Sequence, residues 1–231
     1  MTTNSLFPSA VMIIRHGEKP GDPSNDNDGG PNLSILGSAR AAALPSLFTP
    51  DPTQSPVMGP QLTCDLATFF EGEFGGKYGS SEINAGESRL FTPDFLFATA
   101  PTNSSSRPVE TITPTAQALQ FFKNDPEFTI NDQYTNDTTG IQGLTSEILK
   151  NPNTYGGKIV LICWHHGTIP QLTEAFGVPA SQLPPWPDGK WPPAVFDLIF
   201  NITWPSGQAK LGVIVQTLLY GDSSTAPGQS S

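Results

Sequence analysis

Basic side chains are scarce in this sequence: 11 lysines and arginines stand against 21 acids in 231 residues, a formal net charge of −10. That balance argues against a nucleic-acid partner, because phosphate backbones are gripped by stripes of Lys and Arg and no basic run occurs here. Arginine is limited to Arg15, Arg40, Arg89 and Arg107. Salt screens the overall acidic field within about 10 Å, so a few local arginines can still decide whether an anion binds. Cysteine is nearly absent. Cys64 and Cys163 are the only two, too few for a disulfide framework, and Cys163 lies in the apolar run 159–164, the setting of a buried reduced thiol. No apolar stretch approaches the roughly 20 residues a membrane helix needs. Residues 1–10 lack the basic start and apolar core of a secretion signal. A cytoplasmic protein with no membrane partner is the expectation.

Loop-forming residues, by contrast, are plentiful, with 22 glycines and 24 prolines. Between them lie short continuous apolar runs at 10–14, 95–98 and 158–163, which lack the alternation of a half-exposed strand and read as strands covered on both faces. Helical spacing of Leu36, Ala39, Ala43, Leu44 and Leu47 predicts a helix over 35–48 that starts after Ser34 and is perturbed near its end by Pro45. Further helices are predicted after residue 107, with Pro108 and Glu110 in the first turn, and at 141–150 and 169–176. Two more β-rich runs occupy 195–202 and 210–219. The alternation predicts one α/β domain over residues 1–221, a three-layer αβα sandwich with a mostly parallel central sheet. Residues 49–90 are broken by Pro and Gly and read as a lid-like insertion. The tail 222–231 reads as disordered.

Three of the predicted strands end in residues suited to handling a phosphoryl group. The first ends in Arg15-His16-Gly17-Glu18, the second leads through a polar loop to Arg107, and the third ends in His165-His166-Gly167. In open α/β sheets ligands bind at the carboxyl ends of the strands, so these segments are expected to converge. A neutral imidazole at His16 can attack phosphorus and form a phosphohistidine. The guanidinium forks of Arg15 and Arg107 match phosphate oxygens and oppose charge on the transferring group. Adjacent histidines without a His-Glu-x-x-His or Cys-x-x-Cys arrangement are a poor metal signature. Neither a metal nor any other cofactor is expected.

This order of motifs resembles the histidine phosphatase superfamily, which includes the phosphoglycerate mutase-like enzymes. The resemblance extends to Leu33-Ser34, Gly37, Arg40, Ala41 and Leu44 in the first helix and to the Ser104–Thr111 segment. The stretch 161–170, with Trp186-Pro187 and Phe196-Asp197, looks closest to a poorly characterised phosphoglycerate mutase-like branch. It implies that His16 is the nucleophile and that His166, before Gly167, donates a hydrogen bond to the phosphoryl oxygens. His165 is left as a packing or supporting residue, because neighbours on a strand point to opposite faces. The family's usual glutamate for protonating the leaving group has no clear counterpart. Asp132 occupies roughly that region, and Glu110 and Glu18 are alternatives. The implied activity is metal-independent hydrolysis of a small phosphate monoester. A mutase-like phosphotransferase and a non-catalytic anion-binding module on the same fold are the other readings. Trp186 and Trp191, in the Pro-rich segment 183–193, could wall a substrate pocket or simply pack on the sheet, the latter being the stronger reading.

Overall fold

The structure is a computed structural model that describes residues 5–21, 30–49 and 90–222. The insertion predicted at 49–90 therefore lies almost wholly outside the described residues, as does the tail beyond 222. Six strands form one sheet: β1 (Ala10–Arg15), β2 (Phe95–Thr99), β3 (Ile130–Tyr134), β4 (Ile159–Trp164), β5 (Leu198–Thr203) and β6 (Lys210–Val215), in the spatial order β3-β2-β4-β1-β5-β6. β1 to β4 are mutually parallel. β5 runs antiparallel to β1, and β6 antiparallel to β5. The helices are α1 (Ile35–Ala43), α2 (Pro45–Phe48), α3 (Arg107–Lys123), α4 (Thr138–Lys150), α5 (Pro152–Tyr155) and α6 (Ile169–Ala175).

Two apolar clusters explain why the central strands are hydrophobic throughout. On one face, Met12 and Ile14 of β1, Leu161 and Cys163 of β4, and Leu96 and Ala98 of β2 pack against Leu44, Leu47 and Phe48, and against Ile112, Ala116 and Leu119 of α3. On the other, Val11, Ile13, Val160, Ile162 and Trp164 meet Ile141, Leu144 and Ile148 of α4, Ile169 and Leu172 of α6, and Trp191. Each strand thus supplies alternate residues to opposite layers. The three-layer αβα architecture with a mostly parallel sheet is the one the sequence predicts.

Details depart from the sequence reading in three places. The predicted helix 35–48 is two helices, broken at Leu44, with Pro45 opening the second where its missing N–H costs nothing. The buried face of α1 is Gly37, Arg40 and Ala41 rather than the Leu36, Ala39 and Ala43 stripe. A side chain on Gly37 would press on the Glu18 carbonyl, and one on Gly17 would come within 2.9 Å of the Gly37 carbonyl oxygen. The helix can therefore approach the Arg-His-Gly-Glu turn only because both glycines are bare. Finally, Ile130–Tyr134 is a strand. It sits at the sheet edge, where a polar Ile-Asn-Asp-Gln-Tyr run gives no apolar signal.

Arg40 is buried on this close-packed face because acids meet it from two sides. Its guanidinium contacts the Glu18 carboxylate at 2.7 Å and the Asp222 carboxylate at 2.9 Å. Asp222 also accepts the backbone N–H groups of Leu218 and Leu219. This residue, which the sequence reading put in the tail, belongs to the ordered fold. Burial alone would raise the pKa of its carboxyl, but Arg40 and the two amides outweigh that and hold it below the usual range.

Candidate active site

The site forms where β1 and β4 end side by side. Arg15 pairs with Trp164 in the last register step of these parallel strands, so His16 and His165 follow in step, and the His16 amide donates to the Trp164 carbonyl. Continuing the alternation, His16 takes the phase of Ile14, and His165 that of Cys163, both on the face covered by α3. His166 lies in the turn that follows, closed by the Thr168 amide on the His165 carbonyl. The ring geometry agrees: the His16 centroid lies 5.1 Å from that of His165, edge-on, and 6.5 Å from that of His166. The structure therefore brings His165 closer to His16 than the residue the sequence reading preferred. In the sequence, strand alternation counted from Cys163 is the signal for His165, and the following glycine is the signal for His166.

His16 is buried, with 3% of its surface exposed. Its Nδ1 lies 2.7 Å from the Gly17 carbonyl oxygen. A carbonyl can only accept, so Nδ1 carries the proton and Nε2 keeps its lone pair. Burial lowers the pKa of the ring well below the ordinary histidine range. The Gly17 bond opposes this, while His165, Arg15 and Arg107 add to it. Burial also lowers His165, with Arg107, His166 and Arg15 contributing, to about 4. Both rings are accordingly neutral near pH 7, and the charge beside them comes from the two arginines.

Proton NMR of the imidazole rings should show His16 and His165 unprotonated at and above about pH 6, where an ordinary histidine of pKa about 6.5 would already be charged. His165 should titrate near 4. Linkage gives the sign. In the unfolded chain both rings bind protons at higher pH than in the native state, so stability holds above the unfolded pKa and falls as pH drops from there toward 4. A His16 resonance titrating near 6.5 would contradict the burial.

The arginines reach the site by different routes. Arg15 is 1% exposed. Its Nη1 donates to the carbonyls of Pro193 at 2.6 Å and Val195 at 2.8 Å, and its guanidinium lies 3.5 Å from the centroid of the Phe196 ring. Trp191 Nε1 donates to the same Val195 carbonyl at 2.7 Å. Arg15 thus anchors the 192–196 segment while setting positive charge behind the histidines. Trp191 is buried, and Trp186 stacks on Phe200 at 5.7 Å and meets Trp191 at 4.9 Å. Both are packed on the sheet. Arg107 opens α3, and its Nη1 donates to the Pro31 carbonyl at 3.1 Å. That contact draws the segment after the first motif against the start of α3.

The three candidate proton donors, Glu18, Glu110 and Asp132, occupy different surroundings. Glu18 receives both Nε and Nη2 of Arg40. Glu110 accepts from Ser106 Oγ at 2.6 Å and from the Leu33 amide at 2.8 Å, and so braces the loop before α3. Asp132 lies on β3, separated from β1 by β2 and β4, roughly 14 Å away at the usual strand spacing. A buried, neutral His16 thus stands near two arginines, while Glu18 and Glu110 brace the surrounding chain.

No protein-family model matches this chain, and no curated protein matches it in sequence. Several solved structures are similar to it over most of its length. A phosphoglycerate mutase from Bacillus anthracis str. Sterne is 9% identical, covers 93% of this chain and 95% of its own, and has a TM-score of 0.49. A protein assigned as phosphohistidine phosphatase SixA from Agrobacterium tumefaciens is 14% identical over 90% of this chain and 99% of its own, with a TM-score of 0.46. The protein histidine phosphatase SixA complexed with tungstate is 15% identical over 90% and 97%, with a TM-score of 0.41. At such identities and TM-scores these likenesses say nothing of the chemistry of this chain.

Proposed function

We propose that this protein is a phosphatase that hydrolyses small phosphate monoesters through a phosphohistidine at His16, without a metal. The observation that carries the reading is the buried, neutral His16 ring. With Nδ1 committed to the Gly17 carbonyl, Nε2 is the atom left to attack. In the first step Nε2 forms a bond to phosphorus as the ester P–O bond breaks, and the leaving oxygen takes a proton from solvent. In the second, water attacks phosphorus, the P–N bond breaks, and inorganic phosphate departs with His16 restored.

Charge on the transferring group is met by Arg107, by Arg15 behind the ring pair, and by the N–H of His165, which would donate to a non-bridging oxygen. A bound phosphate dianion raises the proton affinity of His165, since an opposite charge favours the protonated form. That strengthens its donation as the transition state forms. With the candidate carboxylates otherwise engaged, esters of acidic alcohols such as phenols should react best, because their oxygens leave without full protonation.

Mixing the protein with an aryl phosphate in the presence of a chelator should release a burst of phenol. A base-stable, acid-labile phosphoryl group should be recoverable on His16. A linear time course with no label on His16 would overturn the phosphohistidine. Added acceptor alcohols report on the mutase-like reading, in which phosphoryl groups pass to alcohol rather than to water.

A further inference from the structure

Thr111 lies in the second turn of α3, with its side chain turned to the sheet and no surface exposed. A threonine in a helix commonly returns its hydroxyl hydrogen to a carbonyl one turn back, and Thr111 does so, donating to the Arg107 carbonyl at 2.7 Å. The same oxygen accepts the N–H of Gly17 at 2.8 Å. The buried thiol of Cys163, two residues before His165, lies beside this side chain. One hydroxyl therefore joins the turn that follows His16, the residue that bears Arg107, and the strand that leads into His165.

We infer that Thr111 is a positioning residue for His16, acting through Gly17. Here Gly17 is the weak point, since glycine has the widest choice of backbone angles and its carbonyl must stay on Nδ1 of His16. The chain beyond it is already fixed, with the Glu18 carbonyl accepting from the Ser34 amide at 2.9 Å and the Glu18 side chain held by Arg40. On the near side the Gly17 N–H is held by Thr111. Loss of that anchor lets the Gly17 peptides rotate, frees Nδ1 from its acceptor, and allows the proton to move to Nε2, the atom that must attack. Valine has the shape of threonine without the hydroxyl, whereas serine keeps the hydroxyl.

The inference rests on the phosphohistidine reading for its consequence in catalysis, but its structural content can be measured independently of turnover. Nitrogen-15 shifts of the His16 ring should show the Nδ1–H form in the wild type, a mixture with the Nε2–H form in Thr111→Val, and a return to Nδ1–H in Thr111→Ser. Phosphoenzyme formation from an aryl phosphate should slow about 10²-fold in Thr111→Val, the scale of a small misplacement of a reacting group, with KM little changed. Thr111→Ser should recover most of the rate. Thr111→Ala, which removes the same hydroxyl with less crowding, should repeat the valine result and stands in for it should valine fail to fold. An unchanged tautomer and rate without the hydroxyl would overturn the inference, as would equal slowing in Thr111→Ser. Absence of label on His16 in the wild type would count against the phosphatase reading instead, and the ring shifts would still judge Thr111.

Discussion

Replacing His16 by alanine is expected to lower turnover of an aryl phosphate by roughly 10⁴ to 10⁶-fold, the loss seen when a covalent nucleophile is removed from an otherwise intact site. The size follows from what remains. Arg107 and His165 could still hold a phosphate, with the charge of Arg15 behind them, but water would then have to attack without the two-step route through nitrogen. Binding should survive better than turnover, so inorganic phosphate should still compete for the site. Because His16 is buried where β1, α1 and α3 meet, its truncation also leaves a small void. Thermal unfolding of the variant, showing that it still melts cooperatively, separates lost chemistry from lost fold. Retention of even a tenth of wild-type turnover in a folded His16→Ala protein would exclude His16 as nucleophile.

The second large effect distinguishes two adjacent residues. His165→Ala should cost about 10² to 10³-fold in kcat, the range for removing one donor to transition-state charge, whereas His166→Ala should cost far less. The reasoning is the register of β1 and β4. Leu161 and Cys163 lie on the face of Met12 and Ile14, and the next residue of that phase is His165, opposite His16. His166 falls in the turn beyond, and its ring centre lies further from that of His16. His165→Asn, which retains an N–H donor, should recover part of the loss if hydrogen bonding is the contribution. The opposite ranking, with His166→Ala the more damaging, would overturn the assignment of the donor to His165.

That contrast also marks how far the sequence could be read. β1, β2 and β4 were legible because parallel strands covered on both faces must be apolar at every position, and the turn after β1 stood out because Arg-His-Gly-Glu is chemically unusual at a strand end. β3 was not legible: at the sheet edge it can afford Asn131, Asp132 and Gln133, and its backbone pairing leaves no mark on composition. In α1 the buried face carries Gly37 and Arg40, residues that a search for apolar spacing passes over. Their burial depends on a distant partner, Asp222, and on a backbone approach that local pattern does not record. The proposed roles of Glu18 and Glu110 as acids arose from their motif positions, while their partners Arg40, Ser106 and the Leu33 amide emerge only once the chain is folded. His165 was within reach, since counting strand phase from Cys163 places it beside His16.

The ion pairing around Arg40 also bears on the order in which the protein can be completed during synthesis. Glu18 and Arg40 leave the ribosome well before Asp222, which shares the same guanidinium. β1 likewise waits for both of its neighbours, β4 and β5, until residues 159–203 have been made. A nascent chain therefore holds its histidine motif for a long interval without the strands that flank it or the second acid that meets Arg40. The proposed site becomes whole only once segments far along the chain have emerged.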